Sequence, residues 1–238
     1  MQPALYHAHH SRYTDDLPFW LDLASRLGGP ILELGCGSGR VLVPLAQSRH
    51  VVFGLDHDLG MLRFLRQQIP LDVFQADLAA FHLHRSFALI LVPCNTWSIL
   101  TPTIRLRSLS CILRHLRPGG CFAASLPNPA LLAALPRRAE PEIEEEFTHP
   151  ETGNPVQVSS AWRRGERFFT VTWGYDQLLP DGTIERETVK LRHELLPAST
   201  YLEELTASGF EPGTIYGNFD RTPYTTDSPE LVLTAFKP

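Results

Sequence analysis

The stretch Ile31-Leu-Glu-Leu-Gly-Cys-Gly-Ser-Gly-Arg40 constrains this chain more than any other. A short apolar run ends at Glu33 and feeds into glycines at alternating positions, Gly35, Gly37 and Gly39, after which a helical pattern opens. The pattern reads as a strand, a tight turn and a helix N-terminus. Alternating glycines let the backbone turn with positive φ and present no Cβ to a ligand pressed against the main chain. Such a turn suits an adenosine-type cofactor. The dinucleotide fingerprint G-x-G-x-x-G places its third glycine where Arg40 stands here, and a phosphate-binding loop would need Lys followed by Ser or Thr, which are absent.

Four further segments follow in an order that a doubly wound sheet would produce. Val51-Val-Phe-Gly-Leu-Asp56 is a second apolar strand ending in an acid, about 20 residues beyond the glycines, where such folds place a carboxylate on the ribose hydroxyls. Asp56 is equally placed to cap the helix that begins near Leu59. Leu71 to Asp77 gives a third strand ending in an acid. Phe87 to Val92 is a fourth, apolar throughout, as expected of a strand covered on both faces, and it opens into Pro93-Cys-Asn-Thr96. Leu116-Arg-Pro-Gly-Gly120 leads into a fifth strand, Cys121 to Leu126.

The block from Glu33 to Gly39 resembles motif I of the class I S-adenosylmethionine (SAM) dependent methyltransferases, and the following segments resemble that family in order and spacing over residues 30–126. The resemblance implies an α/β fold with a Rossmann-like seven-stranded sheet, mostly parallel, whose last strand (Leu231 to Phe236) runs antiparallel between the fifth and sixth. It implies SAM as cofactor and S-adenosylhomocysteine as its product. By position, Gly35, Gly37 and Gly39 would admit the methionine part, Asp56 would take the ribose, and Met61, Asp77 and Leu78 the adenine, with Glu33, Cys36, Tyr13 and Pro93 also counted among the cofactor-binding residues. Met61 serves equally as core filler, Asp77 as a loop acid and Cys36 as small-volume packing. Pro93 and Asn95 would open the fourth strand towards a methyl acceptor, with the Asn95 amide orienting the acceptor or bonding its own backbone.

Residues 127–193 break the βα alternation. Hairpin signals recur at Pro150–Pro155, Arg164-Gly-Glu166 and Pro180-Asp-Gly182. They predict a small antiparallel sheet inserted after the fifth strand, either as a lid over the cofactor edge or as a surface for a homodimer. The expected organisation is an N-terminal helical arm over 1–27, a SAM-binding core over 28–126 and 194–238, and the insertion between. Such an insertion resembles glycine and amino-sugar N-methyltransferases. In that resemblance Tyr6 and Tyr13 belong to an aromatic arm closing over the cofactor, and Tyr6, Asn95 and His193 are the candidate catalytic residues. Both tyrosines also fit plain packing. Trp97, Trp173 and Tyr175 join His193 as candidate pocket walls. The motif Asp/Asn-Pro-Pro-Tyr/Phe of nucleobase amino-methyltransferases is replaced by Pro93-Cys-Asn-Thr96, and the His expected of amino-sugar enzymes after the fourth strand is absent from Ser98-Ile-Leu100.

Charge and composition narrow the partners. The net charge is −5 over 238 residues, which argues against a nucleic-acid partner. The basic cluster Arg105, Arg107, Arg114, His115 and Arg117 reads as the solvated face of a helix whose buried stripe is Leu106, Leu109, Ile112 and Leu113. No apolar run reaches the roughly 18 residues that cross a bilayer, and the first residues lack a charged-then-apolar leader pattern. Cys36, Cys94, Cys111 and Cys121 form no C-x-x-C pair, so no metal site is expected and free thiols in a cytoplasmic setting are. His7, His9 and His10 lack ligand partners at metal spacing, and the reading there is a disordered terminus. The expected activity is methyl transfer from SAM to a nitrogen or oxygen of a small molecule. A protein or peptide methyltransferase and a non-catalytic SAM-binding regulator are the alternatives.

Overall fold

A computed structural model describes residues 2–238. In chain order its elements are α1 (Pro3–His10), α2 (Leu17–Leu27), β1 (Ile31–Leu34), α3 (Leu42–Gln47), β2 (Val52–Asp56), α4 (Leu59–Gln68), β3 (Asp72–Gln75), β4 (Phe87–Val92), α5 (Thr96–Ile99), α6 (Pro102–His115), β5 (Leu116–Pro127), α7 (Pro129–Ala134), β6 (Arg138–Thr148), β7 (Pro155–Arg164), β8 (Phe168–Leu178), β9 (Ile184–Glu194), α8 (Ala198–Ala207), β10 (Glu211–Pro212) and β11 (Glu230–Phe236).

Two sheets carry the architecture. The larger runs β10-β11-β5-β4-β1-β2-β3. Strands β1 to β5 are parallel, and β11 is antiparallel between β5 and β10. Central β1 and β4 are buried along their whole length, which is why their sequences are continuously apolar rather than alternating. Helices cover both faces, giving two apolar cores, one containing Leu32, Ile90, Phe122 and Leu233 and the other Trp20, Ile31, Leu42 and Leu89. The fifth strand begins earlier than expected, because Leu116 already pairs with Phe87 ahead of an irregularity in register.

The smaller sheet is the expected antiparallel insertion, in the order β6-β7-β8-β9. Leu5 of α1 packs into its inner face with Phe147, Val156, Val158 and Tyr175. The N-terminal histidines are therefore not a disordered tail. They lie on α1, with His7 bonded to Ser38 at 3.1 Å and His9 to the Tyr175 hydroxyl at 2.8 Å.

Helix α6 corrects a second expectation. Its buried face is Arg105, Ser108, Leu109 and Ile112, together with Cys111 and His115, whereas Leu106 is exposed. Arg105 is fully buried instead of solvated. Its guanidinium donates to both carboxylate oxygens of Glu204 on α8 (2.7 and 2.7 Å), to Glu194 on β9 (2.8 Å) and to the Leu100 carbonyl (2.6 Å). Burial works against that charge, yet the hydrogen bonds from the two acids outweigh it and raise its pKa. One side chain thus ties the large sheet's helical layer to the last strand of the small sheet.

Candidate active site

The C-terminal ends of β1, β4 and β5 open into a cavity of about 340 Å³, within the size range of small-molecule sites. Its floor is the glycine turn after β1. Gly37 has a φ of +49°, and a Cβ there would meet nothing within 4 Å, so a side chain would project into open space instead of into protein. Gly39 serves packing instead: a Cβ would come within 2.4 Å of Leu65 on α4. The turn is held from β2. Asp56 accepts from the Gly37 backbone N–H at 2.8 Å and from that of Asp58 at 2.8 Å.

Beneath the turn lies Glu33, only 2 % exposed, with one carboxylate oxygen lacking any hydrogen-bond partner. Burial, above all, pushes this carboxyl well above the usual range. A buried acceptor of this kind is costly unless a ligand satisfies it, and an ammonium group would do so. Beside it, Arg40 reaches across to the arm. Its two terminal nitrogens donate to the two Asp16 oxygens at 2.6 Å each, and also to the Tyr13 carbonyl at 2.8 Å and the Cys94 sulfur at 2.7 Å. Cys94 and Asn95 follow β4 with φ of 59° and 65°, a left-handed pair of non-glycine residues. Backbone strain of this sort concentrates at functional sites. Cys94 lines the cavity and is exposed there.

The remaining walls come from the arm and the small sheet. Tyr6, His10 and Tyr13 enter from the arm, Trp173 from β8, and Leu191 and His193 from β9. His193 Nδ1 lies 2.8 Å from the Ser98 hydroxyl, and Ser98 in turn donates to the Asn95 carbonyl at 2.8 Å. Burial lowers His193 to about 4. The unfolded chain therefore binds a proton below about 6.5 that the folded protein refuses until about 4. Stability from this group is complete above that window and is lost as pH falls through it. His193→Gln should flatten the dependence of Tm on pH between those two values. An unchanged slope would show that another group carries the acid sensitivity.

Of the residues singled out in the sequence, Tyr6, Tyr13, Glu33, Gly35, Cys36, Gly37, Asn95 and His193 meet around this one cavity, as does Trp173. Asp56 stands just behind the turn. Met61 is buried on α4, and Pro93 is buried beyond β4. Asp77 caps a turn by accepting from Ala79 at 2.8 Å, and Leu78 belongs to the core. Trp97 is not a wall but core, tilted against Phe122 with ring centroids 5.1 Å apart, and Tyr175 is buried beneath α1. Arg40, Ser125, Phe219 and Glu230 line the cavity and carried no sequence signal of their own, apart from Arg40 interrupting a dinucleotide motif.

The arrangement fits a SAM-like ligand on three counts: a turn with room for a ligand at Gly37, a buried acid awaiting a cation, and a carboxylate at the end of the neighbouring strand. Among the described residues no group of three metal-ligating side chains occurs. Among the described residues no helix is long and apolar enough to cross a membrane.

Comparison with known proteins agrees. Residues 31–120 match the family described as "Methyltransferase domain". A putative methyltransferase of Bacillus subtilis is 23% identical over 97% of this chain and 92% of its own length. Among solved structures, a SAM-dependent methyltransferase of Clostridium acetobutylicum superposes with a TM-score of 0.81, at 12% identity over 98% of this chain and 97% of that one. A sugar N-methyltransferase of Streptoalloteichus does so with a TM-score of 0.78, at 18% identity over 98% and 91%. At those identities the structural likeness speaks for the fold. Together with the glycine turn, these matches show that residues 31–120 are similar to the methyltransferase domain family and that the chain has a fold shared with SAM-dependent methyltransferases.

Proposed function

We propose that this protein transfers a methyl group from SAM to a nitrogen or oxygen of a small-molecule acceptor. The observation that carries the reading is the roofed cavity. The glycine turn and Glu33 form one side of it, and Tyr6, Trp173 and His193 close it from the arm and the small sheet. A partial covering of this kind admits a small molecule. The structurally similar sugar N-methyltransferase supports an acceptor of that size.

Each residue then has a task. Gly35 and Gly37 admit the methionine part to the backbone, and the unpaired Glu33 oxygen receives its ammonium. Asp56 has lone pairs left over after its two backbone bonds for the ribose hydroxyls. Tyr6 and Tyr13 close the arm over the site, and Asn95 and His193 orient the acceptor. SAM supplies an electrophilic methyl group on a sulfonium, so an acceptor lone pair forms the new bond as the carbon–sulfur bond breaks. For that step the protein's main contribution is alignment, and holding reacting atoms about 3–3.5 Å apart can supply roughly 7–11 kcal/mol. His193, kept neutral by burial, is able to accept a hydrogen bond without bringing a positive charge towards a sulfonium.

The small sheet is in this reading a lid. Its exposed Ile143, Leu178 and Ile184 are where a second copy would pack in a homodimer, and the four free thiols suit a cytoplasmic setting. Incubating the protein and a cell extract with isotopically labelled SAM tests the function by mass spectrometry. Label in metabolites is the expected result. Label confined to polypeptide would make the acceptor a protein, and no label would leave a SAM-binding regulator.

A further inference from the structure

The cavity has two ends, set by strand order. Asp56 closes β2, on one side of the glycine turn. On the other side lie β4, β5 and β11, which bring Asn95, Ser125 and Glu230 to the cavity. With the nucleoside towards β2, the second end is where an acceptor enters. Glu230 is the first residue of β11, where it pairs with Pro127 at the end of β5. Its backbone N–H is bonded to the Gly217 carbonyl at 3.0 Å, which fixes the residue where it lines the cavity, within electrostatic reach of Asp16 and Tyr13.

The charges around it are unequal. Arg40 is the guanidinium of the cavity wall, and all four of its terminal N–H bonds are committed to Asp16, the Tyr13 carbonyl and Cys94. His10 and His193 are kept neutral by burial, at about 3 and about 4. The charged groups that face Glu230 from the arm are acidic or neutral, namely Asp16 and the Tyr13 phenol. An anionic acceptor would find no uncommitted cation there. A cationic one would find Glu230.

We propose that the Glu230 carboxylate receives the methyl acceptor and that the acceptor is a small aliphatic amine, delivered as its ammonium ion. This deepens the preceding reading and rests on it, since it takes the glycine-turn end of the cavity to hold SAM. An ammonium has no lone pair with which to attack. One proton passes from the ammonium nitrogen to a Glu230 oxygen, leaving a neutral amine and a neutral carboxylic acid with charge conserved, and the freed lone pair is the nucleophile. Burial first, and Asp16 second, raise the Glu230 carboxyl to about 7, which suits a group that must be ionised to bind and then keep a proton near neutral pH.

Titration calorimetry with sinefungin and S-adenosylhomocysteine tests this without turnover. Sinefungin carries a primary amine where SAM carries its methyl, so it presents an ammonium to the acceptor end, and S-adenosylhomocysteine does not. The wild-type protein should prefer sinefungin by tenfold or more. The near-isosteric Glu230→Gln should lose that preference while holding S-adenosylhomocysteine within about twofold. A preference that survives in Glu230→Gln, or none in the wild type, overturns the assignment, as would labelled SAM marking simple carboxylic acids and leaving matched amines untouched. A protein that binds neither nucleoside fails at the SAM site itself, which is a different result from a failure at Glu230.

Discussion

Arg105→Ala should destabilise the protein by about 3–5 kcal/mol, the range for removing one partner of a buried ion pair. The cause is what remains behind. Glu194 and Glu204 are each only 12% exposed at the side chain, and both lose their countercharge at once. The Leu100 carbonyl and the face of Tyr201, over which the guanidinium sits at 5.1 Å, lose a partner as well. Chemical denaturation reads the change directly. A midpoint shift worth less than about 1 kcal/mol would mean that water replaces the guanidinium, and that the network is peripheral. Lys in its place should recover only part of the loss, because a single ammonium cannot meet the two Glu204 oxygens and Glu194 in one plane. The effect should extend to the site. Glu194 follows His193 on β9, so Arg105 anchors the strand that brings His193 over the cavity. Arg105→Lys, if folded, should therefore weaken catalysis more than it weakens S-adenosylhomocysteine binding.

The same residue shows where sequence reading ends. The strand–turn geometry that places the glycine turn, Glu33 and Asp56 is legible because it is local: each strand runs straight into the residue at its end, and β1 and β2 are neighbours joined by one short helix. The hairpins of the small sheet were legible for the same reason, through turn residues a few positions apart. The sequence reads Arg105 as solvated because its partners are 89 and 99 positions away. The helical pattern points to a stripe through Leu106, Leu109, Ile112 and Leu113, and the acids that draw Arg105 inward lie far off in the sequence. The α1 histidines read as a disordered terminus in the sequence because they lack partners at metal-ligand spacing, and no local signal supplies another tie. Their order comes from Leu5 entering the small sheet's core and from His9 meeting Tyr175. Glu230 is a third case. It precedes an apolar strand like any surface acid, and its place in the cavity follows from β11 being inserted beside β5.

Asp56→Ala should weaken S-adenosylhomocysteine binding by about 1.5–3 kcal/mol, the value of a hydrogen bond to a charged group. Two effects contribute, and they are separable. Asp56 is 7% exposed and spends one oxygen on the Gly37 N–H and the other on the Asp58 N–H. Removing it frees the glycine turn from β2 and leaves the start of α4 without part of its support, so the floor of the cavity loosens. It also removes the acceptor assigned here to the ribose hydroxyls. A ligand lacking those hydroxyls distinguishes the two. If Asp56 acted only by bracing the turn, S-adenosylhomocysteine and its 2′,3′-dideoxy counterpart would lose the same affinity on substitution. If it clasps the ribose, the dideoxy compound binds the wild type more weakly to begin with and loses less in Asp56→Ala, so the two affinities converge. Convergence is the expected result, because the carboxylate keeps lone pairs free after both backbone bonds are made. Parallel losses would reassign Asp56 to the scaffold and leave the ribose to a different residue.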